Sequence, residues 1–317
     1  MASKKKFKPD CEELPVAVLS DEVYAKVELV PVYASTIKVK TDTSKIVKWL
    51  SQHFPVKDLS HLKRVRKRAG IENMEEECGL DVIICSSIDC YSKRDLIDRI
   101  KNFKCTANVS VENQNAPDYI YNLIKSAFLV KVPLLPATTR DQFVEASRYW
   151  PVSFHEDKNV TSLLQKHIFS SSDLHKHKMN MKRAFDKSLE NSREIAPVIG
   201  CVIVDPSNGE VMSASGDTRD EHPLHHAVIN AIDSLARHQS ANFDPSNKTG
   251  PYLCTNYDAY VTVEPCVMCA MALLHSRVGR VFYWKSHEDG ALGSKYKLHC
   301  NRSLNHRFLV FKNLNTF

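Results

Sequence analysis

The sequence predicts an α/β protein of two domains: an α+β domain with its connector over residues 1–155, and a three-layer α/β/α domain over residues 156–317. Three observations predict it. The chain has 317 residues, enough for two domains that each bury a core. The spacing of apolar residues alternates between strand type and helix type along both halves. The composition, 43% hydrophobic and 25% charged with 9 Gly and 14 Pro, is that of a globular chain rather than a disordered one.

In the first half, residues 27–39 are rich in β-branched side chains and read as extended. Thr43 or Ser44 can cap a short helix with Ile46, Val47, Trp49 and Leu50 on its apolar side. Residues 59–68 read as extended again, and Leu80 opens a short apolar run of strand type. A helix follows from Arg94, through Leu96, Ile97 and Ile100, and residues 104–113 alternate like a strand. The order β-α-β-β-α-β is that of a ferredoxin-like layer, in which a helix pair covers one face of a sheet. A further helix is expected from Ala116. The segment from Val132 is punctuated by Pro133, Pro136 and Pro151, with a short helix opening at Thr138 or Thr139. This connector is expected to pack against something, because Phe143, Tyr149, Trp150 and Phe154 would not all sit well in water.

The second half opens on a basic amphipathic helix from Leu174. A hairpin follows: an apolar run from Pro197 to Asp205, a tight turn over residues 206–209, and a second strand. A helix is expected over residues 224–239, then a loop over 240–257, a strand from Ala259, a helix from Cys266 and a strand from Arg280. The tail from Arg307 reads as a strand or a helix. The order α-β-β-α-β-α-β suits three layers around a mixed sheet.

Lys plus Arg is 43 and Asp plus Glu is 37, a formal net charge of +6, which is mildly basic and compatible with a polyanionic partner. The first ten residues carry lysines with no apolar run behind them, so no secretory signal is expected. No stretch approaches the roughly 18 apolar residues of a membrane span. Ten scattered cysteines then suit a reducing compartment, and a soluble cytosolic or nuclear protein is expected.

The chemistry concentrates at Pro265-Cys266-Val267-Met268-Cys269, where a predicted strand gives way to a predicted helix. Both thiols fall at a helix N-terminus, where unpaired N–H groups favour thiolate, and thiolates bind Zn²⁺. A CxxC alone also fits a redox pair or two buried thiols. About forty residues upstream stands His225-His226-Ala227-Val228. An imidazole and two thiolates make three protein ligands and leave a fourth position open. Zinc deaminases carry H-x-E…P-C-x-x-C, in which the glutamate moves protons and does not bind metal. Here His226, Pro265, Cys266 and Cys269 match, and Val228 stands at the glutamate position.

With these motifs the chain resembles the tRNA adenosine deaminase branch of the cytidine deaminase superfamily. The run from Val261 resembles the second zinc motif and following strand of that branch. The segments from Gly290 and Leu304 resemble its downstream motifs. The combination at residues 222–228, with valine for glutamate, and the connector from Val132 resemble the catalytically deficient subunit of the eukaryotic enzyme. The resemblance implies a cytidine-deaminase-like zinc domain over 156–317 with His226, Cys266 and Cys269 as ligands to Zn²⁺. It implies a heterodimer with a catalytic subunit, tRNA as partner, and residence in cytoplasm and nucleus.

Valine has no titratable atom, and losing acid–base catalysis alone costs about 10²–10⁴-fold. The metal is therefore expected to stabilise the fold, with its fourth position filled by water or a protein group. RNA contact is expected at Lys63, Arg64, Arg66, Lys67 and Arg68, five basic residues in six, with Lys176, Lys178, Lys182 and Arg183 as second candidates. Two other readings stay open: an active deaminase with an unusual base, and a zinc-stabilised RNA-binding protein with no deaminase partner.

Overall fold

The computed structural model describes residues 14–68, 79–89, 92–102, 117–164, 168–190, 198–241 and 252–315. In chain order the elements are β1 (Val16–Ala17), α1 (Asp21–Tyr24), β2 (Leu29–Ile37), α2 (Thr43–His53), β3 (Val65–Lys67), β4 (Leu80–Ser86), α3 (Lys93–Asn102), α4 (Asp118–Lys125), β5 (Phe128–Pro133), α5 (Arg140–Ser147) and α6 (Lys158–Leu163). They continue with α7 (Ser171–Glu190), β6 (Gly200–Val204), β7 (Val211–Gly216), α8 (Ala227–Ala241), β8 (Asp258–Val263), α9 (Val267–His275), β9 (Arg280–Lys285) and β10 (Leu309–Lys312).

Two compact units form. One is Glu22–Lys158; the other joins the chain up to Asp21 with Asn159–Phe317. The range 1–155 expected for the first domain thus takes in a strand of the second. β1 pairs antiparallel with β10, and Val18 is buried in the second unit's core. A two-residue strand followed by Val18 and Leu19 carries too little pattern to show this in sequence.

In the first unit the sheet order is β3-β4-β2-β5, with every neighbouring pair antiparallel. This is the ferredoxin-like arrangement. Both faces are covered. Tyr33, Ile37, Val82 and Ile84 pack against Leu50, Leu96, Ile100 and Ile120 of the helices, while Val30, Val32, Ile83 and Val132 pack against Leu59, Leu62 and Trp150. The side chains alternate because successive strand residues point to opposite faces.

The strand expected at 104–113 lies outside the described residues. The fourth strand described is β5, a six-residue run for which the sequence predicts no strand. Residues 59–68 hold only the short β3, because a 3-10 turn at Lys57–Leu59 precedes it. The connector packs as expected in part: Trp150 is fully buried, and Phe143 stacks on Phe154 at 5.0 Å, but Tyr149 is exposed. Thr139 caps α5 and, with Gln142, forms a capping box.

In the second unit the sheet order is β1-β10-β9-β8-β6-β7, parallel between β8, β9 and β10 and antiparallel elsewhere. Cys201, Ile203, Val261, Val281 and Tyr283 face a core shared with Ala231 and Leu235 of α8 and Ala270 and Leu273 of α9. The alternate residues face α7: Tyr260 and Phe282 stack at 4.9 Å, and His177 of α7 stacks on Phe282 at 4.4 Å and hydrogen-bonds the Tyr260 hydroxyl. Burial pushes the His177 imidazole down to about 4, so this member of the basic helix is a neutral core residue. The tail is a strand. Gly200 lets α7 approach β6, since a Cβ there would lie 1.9 Å from the Ala184 carbonyl oxygen. Gly200→Ala is therefore expected to destabilise this unit by about 1–3 kcal/mol, read as a lower denaturant midpoint.

Candidate metal centre and the basic strand

Two helix N-termini converge in the second unit. β8 ends at Val263; Glu264 and Pro265 turn the chain, and Cys266 is the extended N-cap of α9, its carbonyl accepting from Ala270 N–H at 2.9 Å. No side chain caps this helix, so its first N–H groups can serve the Cys266 sulfur. His226 stands just ahead of α8 rather than within it, and its carbonyl accepts from Asn230 N–H at 3.0 Å. The Asn230 amide donates to Gly216 O, Thr218 Oγ1 and His225 O, which ties the loop before α8 to the helix and aims His226.

The ligand atoms of His226, Cys266 and Cys269 lie within 4.8 Å of one another. His226 Nδ1 is 3.8 Å from Cys266 Sγ and 3.5 Å from Cys269 Sγ. A tetrahedral zinc with ordinary Zn–S and Zn–N lengths separates sulfur from nitrogen by about 3.5 Å. The distances therefore fit that ion. One thiol of the pair is disposed to ionise. A hydrogen bond from Cys269, then N–H groups of Cys269 and Met268 and the His226 charge, hold Cys266 down at about 5 against its burial. Cys269 is pushed up by the Cys266 thiolate and by burial. His225, by contrast, is exposed and lies against His222, with ring centroids 4.7 Å apart.

Val228 is 2% exposed and belongs to the core. It also lines a cavity of about 110 Å³ beside the cluster, with Asp217, Arg219, Glu264 and His287. A space of that size has room for a few waters. Glu264 cannot take over proton transfer. Its carboxylate is buried and accepts from the N–H groups of His287, Leu292 and Ser294 and from the Ser294 hydroxyl. It organises the 287–294 loop. Gly290 belongs to the same device, since a Cβ there would fall 2.1 Å from the Glu264 carboxyl carbon. Asp220 and Glu221 are exposed. Sequence reasoning missed Asp217 and Asn230, which lie outside the zinc pattern and carry no local signal.

The basic run does not form one outward face. Arg64 is turned into its unit, where its guanidinium donates to Phe54 O at 2.9 Å, Ile84 O at 2.8 Å and Leu50 O at 3.4 Å. It closes the C-terminal carbonyls of α2, and burial pushes it down to about 10. Arg66 and Arg68 each pair with the buried Asp81 at 3.1 Å, and Arg66 also lies over the Trp150 ring at 4.3 Å. Lys63 and Lys67 are exposed. The structure thus corrects the expectation for Arg64 and gives Arg66 and Arg68 internal partners as well. A chain alternating between faces separates these arginines from the two lysines. Among the second candidates, Lys176, Lys182 and Arg183 are exposed and Lys178 is half-buried. Arg64→Glu is expected to cost about 3–5 kcal/mol, by setting an anion against carbonyl oxygens in a desolvated place. Lys63→Glu with Lys67→Glu is expected to stay within about 1 kcal/mol of wild type. Chemical denaturation of the three proteins checks both.

Residues 174–285 match the family of the cytidine and deoxycytidylate deaminase zinc-binding region, and residues 30–150 match the N-terminal domain of tRNA-specific adenosine deaminase TAD3. The chain is 39% identical to a probable inactive tRNA-specific adenosine deaminase-like protein 3 of Danio rerio, over 98% of this chain and 95% of that protein. It is 35% identical to the protein of the same description in Homo sapiens, over 96% and 91%. It is 27% identical to the tRNA-specific adenosine deaminase subunit TAD3 of Saccharomyces cerevisiae, over 86% and 80%. On its full-length likeness to these proteins, the chain belongs to the TAD3 family of tRNA-specific adenosine deaminase subunits and probable inactive deaminase-like proteins.

Proposed function

We propose that this chain is the non-catalytic subunit of a tRNA adenosine deaminase that converts adenosine to inosine at the wobble position of the anticodon. It pairs with a catalytic subunit and contributes tRNA binding. The observation that carries this reading is Val228, an apolar core side chain at the place of the proton carrier. In the reaction, water displaces the exocyclic amine of adenine, which leaves as ammonia, and a carboxylate must move protons to the ring and to the departing amine. Val228 has no proton to move, and the carboxylate of Glu264 is held by the loop.

His226, Cys266 and Cys269 would hold Zn²⁺. When bound, such an ion supplies Lewis acidity in active relatives; in this chain its contribution is to join the two helix ends and stabilise the fold. Lys63 and Lys67, exposed beside an edge strand, are the members of the basic run free to track phosphates. Residence in cytoplasm and nucleus belongs to the same proposal and rests on the family resemblance alone.

The test is inosine formation in a substrate tRNA by the zinc-loaded chain alone and by the chain mixed with a catalytic deaminase subunit. Activity only in the mixture is expected, with weaker tRNA binding when Lys63 and Lys67 are both replaced by Glu. Turnover by this chain alone would overturn the proposal.

A further inference from the structure

Asp217 follows β7 directly, and its side chain lines the cavity beside the cysteine and histidine cluster. The side chain is 6% exposed. One carboxylate oxygen, Oδ1, is held by Arg219, through its backbone N–H at 3.1 Å and its Nε at 2.8 Å. The other, Oδ2, is buried and has no hydrogen-bond partner among the described residues. A buried carboxylate oxygen without a donor is costly, so such an atom normally marks a group it is meant to receive. His226, Cys266 and Cys269 line the same cavity, which places Asp217 beside the cluster. Yet Asp217 is not among the ligand atoms that gather within 4.8 Å. Its carboxylate thus borders the same cavity as the cluster from outside the ligand set.

Resting on the reading that zinc occupies this cluster, we infer that Asp217 holds the water that fills the fourth position around the ion. The water donates one proton to Oδ2. Arg219 fixes the orientation of the carboxylate through Oδ1. Asp217 is thus a positioning residue, and its task differs from that of the glutamate that Val228 replaces. An active site needs its carboxylate to release and recover a proton during turnover. Here Arg219 holds one oxygen of the carboxylate in place, and the cavity has room for the water. The fourth position becomes a permanent part of the fold.

The test is zinc retention by the purified full chain, measured by competition with a chromophoric chelator, for wild type, Asp217→Asn and Asp217→Ala. Partners one layer beyond metal ligands typically contribute about 10–100-fold to metal affinity. A loss of that size is expected in both variants, with near-wild-type circular dichroism of the loaded protein. The same variants loaded with Co²⁺ are expected to show altered visible absorption bands, since the ligand field changes when the fourth ligand is no longer held. A merely structural role would not move those bands. Zinc retention and cobalt spectra equal to wild type in both variants would overturn this inference alone. A wild-type chain that takes up no zinc would overturn the zinc reading and this inference with it.

Discussion

The N-terminal turns of α8 and α9 meet at the imidazole of His226 and the thiols of Cys266 and Cys269, and much of the second unit serves to hold that meeting in place. β6, β8 and β9, interior strands of the sheet, carry the residues on which both helices pack. At the α9 end, Glu264 gathers the 287–294 loop, and the Pro265 carbonyl accepts from Ala291 N–H at 2.9 Å, so the turn into Cys266 is fastened on both sides. At the α8 end, Asn230 fastens the loop that delivers His226. The two devices are independent in sequence and converge in space. This is what a three-ligand metal site with a helix dipole behind each end requires.

The same scaffold that could present a proton-carrying side chain here presents an apolar one. A glutamate at position 228 would bring an ionisable group into a core where the valine packs against apolar neighbours, and an unpaired carboxylate there is costly. Valine removes that cost together with the proton carrier. The metal-holding role and the catalytic role are thus separable at one residue, because Val228 is not one of the three ligands and packs in the core two residues after His226. In the proposed heterodimer this chain supplies a stable shape and an RNA-facing surface, and the partner supplies the chemistry.

Much of this was legible in sequence, for identifiable reasons. The three-layer order and the cluster residues were readable because Pro265-Cys266 and His226-Ala227 sit at punctuated element boundaries with a fixed spacing. The alternation of Val202, Tyr260 and Phe282 against Cys201, Val261 and Val281 is the period of strands buried on both faces. What stayed hidden depends on tertiary contact. β1 is two residues long and is defined only by its pairing with β10. β5 is a short run whose identity comes from its pairing with β2. Arg64 looked like its neighbours because a basic run does not reveal which members turn inward to helix carbonyls. Asp217 belongs to no pattern and gains meaning only from the cavity it lines.

The central claim is that the chemistry of the assembled enzyme lies wholly outside this chain. Its most direct test is single-turnover inosine formation by wild-type chain combined with a catalytic subunit whose own proton-shuttling glutamate is replaced by alanine. The account expects no inosine beyond the uncatalysed background, although the two chains assemble and bind tRNA. Inosine formed at an appreciable rate by that assembly would show that a group in this chain moves the proton, and would contradict the reading of Val228 given above.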